Sequence, residues 1–317
     1  MERIKQIIRE LFLCGSKYLW CVVAEFSLIY SEIKWSDRRI QFREGLLCAG
    51  LSFFCSAFAV SREFLNLCRI SGDLFPGEKG HWMNLSKEFL AITAVISVIL
   101  LFFLHYYTTE RNIIGNRLLK PLFPSISESC ASFLFCKLLG ILFTGIVPFM
   151  IFLWILKLSP ASIGFIAGRT SSYWYFILIL VLIALIVSYY SSKSPQIRAW
   201  SPELRKHDWY PRHVILSAGV WVVYLLGYEF LFRGVIWFLC VDAFGFWPAL
   251  AVNVVLYSAV HLPRSIWMAV GAIPVGLLFC LLSSLTGSFL PAFIIHSFIA
   301  VSTEIFSLYH EPEVRLH

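Results

Sequence analysis

Apolar residues in this chain fall into long blocks separated by short polar stretches, and the blocks set the first expectations. They cover roughly 45–62, 88–107, 138–157, 172–190, 213–240, 245–262, 265–284 and 288–308. A hydrocarbon layer of roughly 30 Å demands about 20 such residues of a spanning helix. A soluble amphipathic helix would place a polar residue every third or fourth position, and these blocks do not. Aromatic pairs mark several block ends (Tyr106 and Tyr107, Trp174 and Tyr175, Tyr189 and Tyr190, Trp209 and Tyr210), as rings with polar tips favour the headgroup layer. Ahead of the blocks, Ile4, Ile7, Ile8 and Leu11 share one helical face, with Arg3, Lys5 and Arg9 away from it. That pattern fits a helix on the cytoplasmic membrane surface, or one packed on the membrane domain from the cytosol. The expected fold is an all-α polytopic membrane bundle of about eight transmembrane helices plus an N-terminal amphipathic helix.

Charge then orients the bundle. Basic residues crowd the opening segment (Arg38, Arg39 and Arg43 among them), the stretch holding Arg111, Arg117, Lys120 and Lys137, and the stretch holding Lys193, Arg198, Arg205, Lys206 and Arg212. The intervening loops are poorer in bases or offset them with Glu63, Asp73, Glu78 and Glu88. This alternation predicts both termini on the cytoplasmic side. It also accounts for the net charge of +7 without nucleic acid, since no basic stretch is interleaved with aromatics in a soluble domain. The nine cysteines form no CxxC pair, so neither a disulfide framework nor a cysteine metal site is expected. No cleavable signal peptide is read at the N-terminus, where Lys17 soon interrupts the apolar stretch. The expected organisation is a basic segment 1–44, a transmembrane group 45–190, a cytoplasmic loop 191–212, a transmembrane core 213–308 and a tail 309–317. A bacterial inner membrane is the expected location, with the lipid bilayer and a membrane-associated protein or peptide as partners.

The core 213–308 holds nearly all the polar groups that lie within apolar blocks. Ionisable groups in hydrocarbon cost several kcal/mol and normally face a protein interior or a water-filled cavity. Glu229 and Arg233 are four residues apart and share a helical face, as an ion pair that braces the bundle or as part of a site. Asn253, Tyr257 and His261 recur every four residues as a polar stripe. His296 lies in the last block, with Glu304 two turns beyond it. A single membrane histidine is often only hydrogen-bonded across helices. An acid, a guanidinium and two imidazoles on three blocks point instead to one convergent site.

Three segments carry a resemblance. Gly227-Tyr228-Glu229-Phe230-Leu231-Phe232-Arg233-Gly234 resembles the first motif, Glu-Glu-x-x-x-Arg, of the CAAX-protease-like (CPBP, Abi) family. Tyr257-Ser258-Ala259-Val260-His261 resembles its second motif, Phe-x-x-x-His, and the stretch ending at His296 resembles the approach to its third, His-x-x-x-Asn. The resemblance implies an all-helical intramembrane peptidase that works without a metal. By motif position Glu229 and His261 would activate water, Arg233 would orient Glu229, and His296 would steady the oxyanion. Tyr228 stands where the motif has its first glutamate, and Ala300 where it has asparagine. Glu229 itself could act as base, or Glu304 could supply a carboxylate with Ser297 or Thr303 as donors. A family member that binds without cutting, as an immunity-type protein would, is a second reading. A small transporter is a third, although no inverted repeat supports it. Zinc held by Glu229, His261 and His296 is a fourth, disfavoured by the neighbouring Arg233 and by the lack of a compact ligand pair. No other cofactor is expected.

Overall fold

The computed structural model describes residues 86–109 and 127–317. The amphipathic segment 1–44 and the apolar block 45–62 lie outside the described residues. Six helices among those described are long and apolar enough to cross a membrane. They are α1 (Lys87–Thr109), α2 (Glu128–Ile155), α3 (Trp174–Ser191), α4 (Pro211–Phe244), α6 (Ile266–Thr286) and α7 (Leu290–His310). Between α4 and α6 lies a shorter apolar helix, α5 (Phe246–Ala259).

Two elements differ from the apolar blocks. Helix α2 begins at Glu128 rather than at 138, because the Ser127 side chain accepts from the Cys130 N–H and Glu128 adds an acid to the first turn. Lys137, expected in a loop, therefore sits inside a membrane-spanning helix. Helix α5 ends at Ala259, and at 14 residues its rise is about 21 Å, short of a crossing. Its backbone tightens into a turn over 260–264 through short-range bonds such as His261 N–H to Ser258 O, and Pro263 offers no N–H. The block expected at 245–262 is thus the first arm of a hairpin with α6. At its other end Gly245, with φ of 81°, breaks α4 from α5.

The way the helices bury themselves is that of a bundle in lipid. On α3 only Ile177, Val181, Ala184 and Ser188 are buried, one stripe at spacings of three and four. The remaining faces carry Leu178, Ile179, Leu182, Ile183, Ile186 and Val187, all exposed. In water that surface would be an unusually large apolar patch; against acyl chains it costs nothing. The α3 stripe packs with Phe279 and Leu282 of α6 and Ala292 and Ile295 of α7. Helix α7 lies between α3 and α4. Helices α2 and α4 cross at Gly145 and Gly227, where a Cβ on Gly227 would come within 2.8 Å of the Gly145 Cα. Small residues permit such close backbone approach. A short parallel pairing of β1 (Asp208–Trp209) with β2 (Arg315–Leu316) ties the tail to the loop that precedes α4.

Candidate active site

Helix α4 changes pitch where the chemistry lies. It is α-helical to Glu229 and π-helical over Phe230–Ile236, so Arg233 falls in the wider turn directly after the acid. Such π segments are frequent at functional sites because they re-aim side chains and free a carbonyl. Here the Asn253 side chain of α5 donates to the Phe232 carbonyl at 2.7 Å, and the Cys280 thiol of α6 donates to Asn253 Oδ1 at 3.3 Å. Asn253 thus braces the π turn rather than facing the reactive groups.

Glu229 and Arg233 are both fully buried. One carboxylate oxygen, Oε2, lies 3.1 Å from Arg233 Nη1, and the other, Oε1, lies 2.5 Å from His296 Nδ1 on α7. A carboxylate paired to arginine accepts, so His296 Nδ1 carries the hydrogen, and in the neutral ring Nε2 keeps its lone pair. The Arg233 guanidinium lies 3.9 Å from the centre of the Tyr257 ring, a cation–π contact that fixes it from the α5 side. Tyr257 also brings in His261, whose ring centre is 4.8 Å away, and His296, whose ring centre is 6.2 Å away. His261 Nδ1 is 2.7 Å from the Tyr257 carbonyl oxygen, which can only accept. In the neutral ring its Nε2 is then also left with a lone pair. The structure brings Glu229, Arg233, Tyr257 and His296 into direct contact and sets His261 against Tyr257. Tyr228 joins this group, its ring 5.7 Å from that of His296.

Glu304 is elsewhere. It lies eight residues beyond His296, about 12 Å along α7, and its carboxylate accepts the Glu203 N–H at 3.0 and 3.1 Å and the Ser217 hydroxyl at 3.4 Å. Thr303 is spent on the Ile299 carbonyl of its own helix. The carboxylate substitute offered by Glu304 is thus too far along the helix to join Glu229. Among the described residues no group of three or more His, Cys, Asp or Glu is arranged to hold a metal ion.

A second charged cluster went unread in the sequence. Lys137 is buried, with Nζ 2.8 Å from Glu203 Oε2 and 3.2 Å from the centre of the Trp221 ring. Arg264, in the α5–α6 turn, reaches the same oxygen at 3.1 Å. Burial alone would raise the Glu203 carboxyl, but the Lys137 ammonium and the Arg264 guanidinium outweigh it and hold it below the ordinary carboxylate range. Other bases of this loop serve as caps: the Arg205 guanidinium donates to the Arg198 and Ala199 carbonyls, and that of Arg198 to the His310 carbonyl. The cluster pins the 192–210 loop over α2, α7 and the turn that carries His261. The readable signal was the Ser127-Glu128 helix start, which moves Lys137 into the helix.

The approach to the site is from the imidazole side. His296 has 13% of its side chain exposed, whereas Glu229 and Arg233 have none. A surface groove of about 310 Å³ between Tyr210, Val214, Ile215, Leu316 and His317 is remote from this chemistry, about 22 Å of helix rise from Glu229.

Residues 210–310 match a family model described as type II CAAX prenyl endopeptidase, Rce1-like. The matched segment holds α4 to α7 and with them every member of the buried site. This third of the chain belongs to the CAAX-protease-like (CPBP, Abi) family. With its apolar helices, the chain is an integral membrane protein. No curated protein and no solved structure matches it.

Proposed function

We propose that the chain is an intramembrane endopeptidase that hydrolyses a peptide bond of a membrane-associated or lipidated protein. The observation that carries this reading is the buried Glu229–His296 contact. An acid oriented by Arg233 holds one nitrogen of an imidazole and leaves the other free to take a proton from water. His261, set against Tyr257, is a second imidazole packed beside the site. These roles shift the division expected from the motifs, in which His261 partnered Glu229 and His296 faced the oxyanion. The scheme uses only groups of this chain and calls on no metal. The proposed setting is a bacterial inner membrane with both termini in the cytoplasm, supported by the basic 192–210 loop. The family description speaks of prenyl substrates, so a farnesylated peptide ending in a CAAX sequence is the probe of choice.

The test uses the full chain in lipid nanodiscs with that peptide, read by mass spectrometry. Wild-type protein is expected to release the C-terminal fragment. His296→Ala is expected to cut turnover by about 10³-fold with the fold intact, because Arg233 still neutralises Glu229. Unchanged cleavage by His296→Ala would overturn the reading.

A further inference from the structure

Hydrolysis of an amide by water needs a base and also a donor for the oxyanion that forms on the attacked carbonyl. The imidazole donors around Glu229 are committed. His296 Nδ1–H is spent on Glu229, and His261 Nδ1–H on the Tyr257 carbonyl. Arg233 Nη1 faces Glu229; Nε and Nη2 have no hydrogen-bond partner among the described residues, but Nη2 is turned towards α6, 3.6 Å from where a Cβ on Gly276 would sit. One hydroxyl remains beside the dyad. Tyr228 is 4% exposed, and its hydroxyl is buried with no hydrogen-bond partner among the described residues. Its ring stands edge-on to His296, with centres 5.7 Å apart, and 6.0 Å from that of Tyr257. Ser297 Oγ is also buried and unpaired, but no contact brings it to Glu229 or to either imidazole.

We infer that the Tyr228 hydroxyl is a catalytic residue, donating a hydrogen bond to the tetrahedral oxyanion; the inference rests on the endopeptidase reading above. Water oxygen bonds to the carbonyl carbon, its proton passes to His296 Nε2, and the carbonyl π pair moves onto the oxygen facing Tyr228. The phenol keeps its proton. On collapse the pair returns, the C–N bond breaks, and the leaving nitrogen takes the proton held by His296. A buried hydroxyl that finds its partner only as the oxyanion forms stabilises the transition state and not the ground state. That gives a use to a group the folded protein leaves unpaired.

Tyr228→Phe keeps the ring packing and removes only the orphan oxygen. With the farnesylated peptide in nanodiscs, kcat is expected to fall about 10²-fold with KM and the pH profile unchanged. Thermal stability is expected to be equal or higher, since an unpaired buried hydroxyl contributes nothing to the fold. A kcat within about twofold of wild type overturns the inference, and the endopeptidase reading then stands on the loss seen with His296→Ala. Loss of stability in step with loss of turnover assigns Tyr228 a packing role and equally overturns it. If the wild-type protein cleaves nothing, the two fall together.

Discussion

Glu229→Gln is expected to lower peptide turnover by about 10³-fold, the usual share of a positioned acid–base group. The amide keeps the size of the side chain but cannot hold the His296 Nδ1–H as a charged acceptor or neutralise Arg233. Arg233 is fully buried, with Glu229 as its ion-pair partner at 3.1 Å, so the variant also strands a charge in the bundle. Removing one member of a buried pair costs about 3–5 kcal/mol. The stability loss and the catalytic loss can be separated. Glu229→Gln combined with Arg233→Met removes both charges and is expected to regain much of the lost thermal stability without regaining turnover. Recovered turnover in the double variant would mean that the carboxylate only braces the helix.

Lys137→Met carries the largest expected effect outside the site. The ammonium is buried within α2, paired to Glu203 at 2.8 Å and seated on Trp221. Its loss leaves Arg264 as the partner of the Glu203 carboxylate, and a destabilisation of about 3 kcal/mol is expected in detergent-solubilised unfolding. Methionine preserves the packing of the aliphatic stem, so the effect reads the charge. The same link should be acid-sensitive. Glu203 titrates below its unfolded value, so its contribution is present above the ordinary carboxylate pKa and is lost as pH falls through the depressed one. Lys137→Met should show a shallower acid limb than wild type; identical limbs would place the link's energy elsewhere.

What the sequence made legible follows from where lipid enforces a rule. Apolar blocks located α1, α3, α4, α6 and α7 within a few residues, because hydrocarbon penalises any interruption. The rule failed for α2, whose first ten residues tolerate Lys137 because Glu203 neutralises it from a distant loop. It also failed for α5, whose apolar run continues into a turn sheltered by protein. The i, i+4 spacing of Glu229 and Arg233 gave their pairing, and of the polar stripe Asn253, Tyr257, His261 the first two reach α4 from α5 while His261 falls in the turn beyond it. Periodicity could not say that Glu229 would take His296 as its partner in place of His261. That choice depends on the π turn at Phe230–Ile236 and on the level at which α7 passes α4, and both are properties of packing. Glu304 looked close to His296 because it follows about two turns later, yet eight residues along one helix are a separation of about 12 Å.

Water attack directed by the Glu229–His296 pair is the claim on which the rest depends, and isotope labelling tests it most directly. A single turnover of the farnesylated peptide in H2¹⁸O should place one ¹⁸O in the new C-terminal carboxylate of the product and none in the protein. Label recovered in the Glu229 side chain would reveal a covalent acyl intermediate and contradict the account, as would labelled product released by the His296→Ala variant at the wild-type rate.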